Sequence, residues 1–266
     1  MNKLERKMVE ILEKGKSNHQ VVSVKAEFEA EGTRTDELMR LVDVSRAAGL
    51  PLTLKIGGCE AIRDLLEAKQ IGVRYIVAPM IETPYALTKY IQAKNLVFSP
   101  DEQEEVDFLF NIETITAFNH AQELANLASG NLQGMVFGRV DFSGSMGLGR
   151  DGIETAEVTE KILRVSQISE EANLDLVVGG AVSNVALPTL REIHKIKLTR
   201  FETRKVVFAG GAVENSVIQD ALLNAVHFEL LWLLNKRDYY ASITKEDSTR
   251  IEMLESRWQV LGEEVL

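Results

Sequence analysis

FLFNIETITAFNHAQELANLASGNLQGMVFGRVDFSGSMG, residues 108–147, reads as one strand–helix–strand unit. An apolar run, FLFNIE (108–113), leads into a segment with helical spacing of its apolar residues and then into a second run, MVFGR (135–139). Runs this apolar are expected of strands covered on both faces, and two of them joined through a helix make a parallel βαβ pair. The same alternation continues outward on both sides. Strands are predicted at VVSVKAEF (21–28), PLTLKIG (51–57) and YIVAPM (75–80) before it, and at LDLVVGG (174–180) and RKVVFAG (204–210) after it. Segments such as TDELMRLVDVSRAAG and VTEKILRVSQISEEAN carry apolar residues at i, i+3 and i+4 between them. The expectation is an α/β fold, a TIM-type (β/α)8 barrel, as a single domain over 1–266 with a C-terminal helical segment from about 216 to 266. Seven strands are identified in this way; the eighth is sought at LVFS (96–99) or in an irregular element near the N-terminus. A doubly wound open sheet is the structural rival. It would need a glycine-rich phosphate loop after its first strand, and KAEFEAEGTR contains no GxGxxG.

The totals suit that architecture. A chain of 266 residues, 45% apolar and 26% charged, can bury the core of one large α/β domain. No apolar run approaches the ~20 residues that span a bilayer. The opening MNKLERKMVEILEKGK alternates charged and apolar residues, as an amphipathic helix does and a secretory signal does not. Cys59 is the only cysteine, so neither an intramolecular disulfide nor a cysteine-based zinc site is available. Together these point to the cytoplasm, with no membrane partner. A net charge of −10 argues against a nucleic-acid partner. An anionic small-molecule substrate would have to be held by a few local cations at strand ends.

In a barrel, polar residues at the C-terminal ends of strands face the site. Here those positions hold Lys25, Glu27 and Glu29, then Lys55, then Met80 and Glu82, then Asn111 and Glu113, then Arg139 and Asp141. A buried unpaired carboxylate costs several kcal/mol, so these should be paired with cations or a metal. Glu113 and Asp141 end adjacent strands and could share one cavity, an oxygen-rich site suited to Mg²⁺ or Mn²⁺. No pair of histidines sits at a strand end. The alternative is that these carboxylates cap helices or pair with Lys55 or Arg139.

Three motifs, APMIET (78–83), FNIET (110–114) and GMVFGRVDFSGSMG (134–147), together resemble the HpcH/HpaI aldolase and citrate lyase β family of the pyruvate/phosphoenolpyruvate barrel superfamily. The likeness runs over about residues 21 to 215. It implies Glu113 and Asp141 as metal ligands and a metal-dependent carbon–carbon lyase, an aldolase or a citrate-lyase-like enzyme. Such an enzyme acts on a 2-oxo acid or related small-molecule carboxylate through a metal-stabilised enolate. Lys55 stands where the family carries an arginine that contacts the oxo oxygen, and keeps its charge without the bidentate fork. Gly138, Arg139, Val140 and Asn111 are the corresponding substrate-binding candidates, the first three through backbone N–H groups or the guanidinium. Where the pyruvate aldolases place a Glu-His pair, this chain reads EFEAEG. His19, His120, His194 and His227 all lie before strands or within helical segments. Glu27, Glu29 or Glu82 is therefore left as candidate acid/base. A hydrolase or synthase on the same scaffold, for example one cleaving an acyl thioester, and a non-catalytic binding barrel remain the alternatives.

Four further features carry weaker expectations. GGAVSN (179–184) and GGAVEN (210–215) read as two strand-to-helix turns, with Ser183 or Asn184 and Asn215 as helix caps, and as either a phosphate cradle or two similar tight turns. SGSMGLGRDG (143–152) is either a mobile loop over the site or a rigid turn. Cys59 is expected to pack rather than react. AVHFELLWLLNKRDYYA (225–241) is more apolar than an outer-layer helix needs, which fits a buried final helix or a subunit contact, and the resemblance implies a homo-oligomer built there.

Overall fold

All seven predicted strands form where their apolar runs lie. The computed structural model describes residues 1–264, with side-chain surroundings through residue 260. The strands are β1 (Val21–Glu27), β2 (Leu52–Lys55), β3 (Tyr75–Ala78), β4 (Asp107–Ile112), β5 (Gly134–Gly138), β6 (Asp175–Gly179), β7 (Arg200–Glu202) and β8 (Val206–Ala209). They close a barrel in sequence order. Around it run α1 (Lys3–Asn18), α2 (Thr35–Ala47), α3 (Ile62–Ile71), α4 (Pro84–Val97), α5 (Pro100–Glu104), α6 (Ile115–Asn119) and α7 (Ala121–Ala128). The remaining helices are α8 (Arg139–Ser145), α9 (Ala156–Glu171), α10 (Leu187–His194) and α11 (Ile218–Glu264).

Alternation along each strand sorts residues between two cores. Phe108, Phe110, Met135, Phe137, Leu176 and Val178 face the helices and belong to the large outer core. Val77, Leu109, Val136 and Val177 point inward and plug the barrel, with Tyr75 against them. Below that plug the interior is polar but paired: Ser23 and Thr53 share a hydrogen bond of 2.7 Å. The Arg200 guanidinium lies 4.6 Å from the Tyr75 ring centre and bonds Asp175 at 2.9 Å. Above the plug the inward positions become charged, and there the functional cluster is built.

The closure differs from the expected (β/α)8 pattern at its last strand. LVFS (96–99) is not a strand: Val97 ends α4, and Phe98 packs its ring edge on Phe108 at 5.1 Å. The N-terminus supplies a capped helix, α1, not an irregular strand. The missing strand is the three-residue β7, and β8 runs antiparallel to both β7 and β1. Only three residues separate β7 from β8, and a parallel crossover needs a dozen or more, so the chain has to turn straight back. Thr203 caps that turn: its N–H donates to the Val206 carbonyl at 2.9 Å. As a result GGAVEN, after the reversed strand, lies at the opposite end of the barrel from GGAVSN, with Gly211 beside Gln20 ahead of β1. The paired-cradle reading of the two motifs fails on that geometry. Asn215 does cap, its side-chain oxygen accepting from the Val217 N–H at 3.1 Å just before α11.

Two of the weaker expectations are resolved by packing. Cys59 lies half-buried against the outer core. In the 143–152 segment, the Ser143 hydroxyl donates to the Gly149 carbonyl and Leu148 N–H donates back to the Ser143 carbonyl at 3.1 Å, so the segment is a turn folded on itself. Among the described residues no helix is long and apolar enough to cross a membrane.

Candidate active site

At the C-terminal mouth of the barrel, strand register sets charges side by side. Glu27 of β1 and Lys55 of β2 are Cα partners. Lys25, one inward step below Glu27, places its ammonium 2.9 Å from Glu27 and in direct contact with Glu202 of β7. All three are buried. Burial alone would lower the Lys25 pKa, but Glu202 and Glu27 outweigh it and hold the ammonium above its ordinary range. Burial would likewise raise Glu27, and the Lys25 ammonium, aided by Lys55 and Arg204, keeps its carboxyl below the usual value.

Lys55 is the centre of a second set. Its Nζ stands 3.3 Å from Glu113 Oε2 and 3.1 Å from Glu29 Oε2. Burial and the like charge of Lys25 oppose its charged state, yet Glu113, Glu29 and Glu27 together raise its pKa. Such a lysine is a fixed cation, not a nucleophilic amine. Glu113, 1% exposed, also accepts the Asn111 side-chain amide on Oε2 and the Met80 N–H at 2.9 Å on Oε1. Met80 adopts φ +49° to deliver that N–H, a left-handed conformation uncommon for a side chain of this size. Gly138 completes the seat: a Cβ there would come within 2.8 Å of Glu113 Oε2.

Asp141 lies in the first turn of α8, three residues beyond Gly138, and is exposed with no protein partner among the described residues. The Glu113 and Asp141 pair therefore offers hard oxygen donors only. Glu113 Oε1 keeps a lone pair beyond the Met80 N–H, and the Asn111 side-chain oxygen is buried with no partner. Among the described residues no three His, Cys, Asp or Glu side chains converge. The described residues thus form no closed protein cage of the kind zinc or calcium takes. That suits Mg²⁺ or Mn²⁺, which binds through one or two carboxylates and keeps the rest of its shell for water and substrate.

Two expected residues stand elsewhere. Arg139 was a candidate anion holder, but its side chain is fully buried. Its Nε and one terminal nitrogen donate to the Gly180 carbonyl at 3.0 and 2.8 Å, and the other nitrogen bonds Glu154 at 2.8 Å. It ties the start of α8 to the loop after β6, and its carboxylate partner is Glu154, not Glu82. Gly180, at φ +87°, allows the approach, since a Cβ would meet the Val140 N at 2.8 Å. Glu82 is half-buried and accepts the Thr114 hydroxyl at 2.8 Å, bracing the β3 and β4 loops. Val140 is half-buried in the same first turn of α8 as Asp141.

Sequence reasoning overlooked Glu202, Glu31 and Lys205. Glu31 holds Lys205 and, at 3.2 Å, Arg204, latching the loop after β1 to the β7–β8 turn. The signal was present in FETRK (201–205), whose charges sit beside an apolar run as those of KAEFE do. None of the four histidines approaches the mouth's ion pairs: His19 and His194 are buried or half-buried away from it, His120 pairs with Glu123 at 3.5 Å, and His227 is exposed on α11.

Comparison with known proteins agrees with the barrel fold. The model of the HpcH/HpaI aldolase/citrate lyase family matches residues 37–198. Among solved structures, an HpcH/HpaI aldolase/citrate lyase family protein from Burkholderia cenocepacia J2315 is similar at TM-score 0.60 and 15% identity, over 83% of this chain and 90% of that one. An HpcH/HpaI aldolase from Desulfitobacterium hafniense DCB-2 is similar at TM-score 0.57 and 14% identity, over 67% and 76%. The malate synthase of Haloferax volcanii, in a magnesium/glyoxylate complex, is similar at TM-score 0.53 and 13% identity, over 74% and 65%. At these identities the structures speak to the fold. No curated protein matches by sequence.

Proposed function

The chain belongs to the HpcH/HpaI aldolase/citrate lyase family, and from that premise we propose a divalent-metal-dependent carbon–carbon lyase acting on a 2-oxo acid or related carboxylate. The observation that carries this reading is Glu113: a buried carboxylate held by Lys55, Asn111 and the Met80 N–H, with Asp141, exposed and without a partner among the described residues, three residues past the Gly138 that packs on Glu113. Glu113 and Asp141 would hold Mg²⁺ or Mn²⁺, which when bound supplies Lewis-acid polarisation of the substrate's oxo group. Lys55 presents a permanent cation to the same oxygen and offsets the charge that develops there. Gly138 and Val140 frame the substrate carboxylate at the first turn of α8, where helix N–H groups have no intrahelical acceptor. Asn111 positions Glu113 and turns its buried, free oxygen toward a water or substrate hydroxyl.

For the acid/base we select Glu29. Glu27 is locked against Lys25 and held ionised, and Glu82 is engaged with Thr114. Glu29 is half-buried and touches the lysine that also touches Glu113. Glu29→Gln should lower kcat about a hundredfold with KM little changed, the range of a positioned proton carrier. An equal loss in Glu82→Gln with none in Glu29→Gln would reassign the role. The reaction class itself is tested by product analysis: metal-stripped enzyme given Mg²⁺ or Mn²⁺ and a 4-hydroxy-2-oxo acid should release an aldehyde together with a 2-oxo acid. A free acid as sole product would point to hydrolysis, and full turnover in EDTA would end the metal reading. We assign the working form as a soluble, cytoplasmic homo-oligomer.

A further inference from the structure

α11 is 47 residues long, and only its first half touches the barrel. Ala221, Leu222, Ala225, Phe228, Leu231 and Trp232 are buried in the outer core. Asn235 bonds Asn2 and Glu5, while Lys236 and Tyr240 bond Glu37. From Ala241 to Val260 every residue is exposed, so the second half projects into solvent by ~30 Å at 1.5 Å per residue. Most helical stability in proteins comes from tertiary packing, and this half has none within its own chain among the described residues.

The opposite face of the same helix carries a second apolar stripe. Leu223, Val226, Leu230 and Leu233 follow at steps of three, four and three, each more than half exposed. Continuing the alternation gives Arg237, Tyr240, Thr244 and Asp247, and then Ile251, Leu254 and Trp258, again each more than half exposed. A three-four repeat sustained over 36 positions is the pattern of a coiled-coil seam, here with apolar ends and a polar middle.

We propose that α11 pairs with α11 of a second copy as an antiparallel coiled coil, its two-fold axis passing near Thr244 and Ser242. This deepens the homo-oligomer assignment above and is independent of the reaction. In that register each apolar end meets an apolar end. Val226 faces Trp258, Leu230 faces Leu254 and Leu233 faces Ile251, each layer occurring twice by symmetry. Arg237, whose one ion pair among the described residues is with the exposed Asp238, faces Asp247. Tyr240, half-buried with its hydroxyl on Glu37 and its ring beside Arg34, borders the stripe across from Thr244. On the flanks His227 comes beside Glu255, Glu229 beside Arg257, and Ile243 beside its own copy. A parallel pair would instead stack Arg237 on Arg237 and Asp247 on Asp247 inside the seam, which is unfavourable. The lengths also agree: the projecting half of each helix covers the barrel-bound half of the other, and no stripe residue is left over between 226 and 258.

The test uses the full chain in a Cys59→Ser background. Light scattering at tens of micromolar should give the dimer or a multiple of it. Mixed Leu230→Cys and Leu254→Cys proteins should form a disulfide-linked pair under mild oxidation, while either variant alone should not. Arg237→Asp should weaken association about tenfold or more, with two like-charge layers created at once, and the double exchange Arg237→Asp with Asp247→Arg should restore it. All four positions are exposed, and circular dichroism checks that the barrel persists. A monomer would overturn both the pairing and the homo-oligomer assignment. An oligomer that ignores Arg237→Asp, or in which Leu230→Cys cross-links to itself, would overturn the antiparallel pairing alone.

Discussion

Glu113→Gln should reduce metal-dependent cleavage by about a thousandfold and leave the barrel folded. The size follows from what the carboxylate supplies. Lewis-acid stabilisation contributes several kcal/mol to such reactions, and each 1.36 kcal/mol is tenfold in rate. Glutamine keeps the shape, and its carbonyl oxygen can still accept the Met80 N–H that Glu113 receives at 2.9 Å, so the loop at φ +49° should hold. What it loses is the charge that balances Lys55 at 3.3 Å and that, on the proposed reading, would bind the ion. Two readouts separate a metal role from a purely electrostatic one: Mn²⁺ affinity by electron paramagnetic resonance, and turnover at saturating metal. Loss of Mn²⁺ binding together with activity supports the assignment. Unchanged Mn²⁺ affinity with lost activity would make Glu113 the counter-ion of Lys55 and remove it from the metal. Asp141→Asn should follow the same pattern with no effect on Lys55, because Asp141 has no protein partner among the described residues.

How much of this was legible beforehand depended on whether the physics was local. The strands β1 to β6 and β8 announce themselves because their outward positions carry a regular apolar set, such as Val24 and Ala26 or Phe108, Phe110 and Ile112, that packs under the helices. β7 does not, since Arg200–Phe201–Glu202 offers one apolar residue between two charges and its reason for pairing lies in Val177, Val178 and the facing β8. The reversal of β8 was in principle accessible: three residues between two strands cannot hold a crossover helix, but that inference requires having found β7 first. At the site, residue type and strand-end position identify Glu113, Lys55, Asn111 and Glu29 as neighbours. They do not say which way a long side chain turns. Arg139 follows β5 just as Lys55 ends β2, yet the turn into α8 commits its guanidinium to the Gly180 carbonyl and Glu154. Glu202 was hidden for the opposite reason, in a strand too short to be recognised as one.

The buried triad of Lys25, Glu27 and Glu202 leads to the largest expected loss of stability. Lys25→Met keeps most of the side-chain volume but removes the cation from between two buried carboxylates. Breaking a buried pair by deleting one partner costs about 3–5 kcal/mol, because the charge left behind has lost its compensation. The pH dependence should distinguish this cause from simple mispacking. In the wild type Glu27 is held below its ordinary pKa, so its contribution is present above the unfolded value and is lost as pH falls through the lowered one. Lys25 is held above its ordinary pKa, so its contribution is present below the unfolded value and is lost only at strongly alkaline pH. Between pH 5 and 8 neither changes, and wild-type stability from these two groups should be flat. In Lys25→Met the sign reverses for Glu27: burial without the ammonium raises its carboxyl, the folded state binds its proton more tightly than the unfolded chain, and stability should rise as pH falls from 7 to 5. Urea midpoints for both proteins at pH 7 and pH 5 measure this directly, with the gap expected to narrow at the lower pH. A gap of the same size at both values would mean that the missing lysine acts through packing, and that Glu27 and Glu202 find another cation when it is gone.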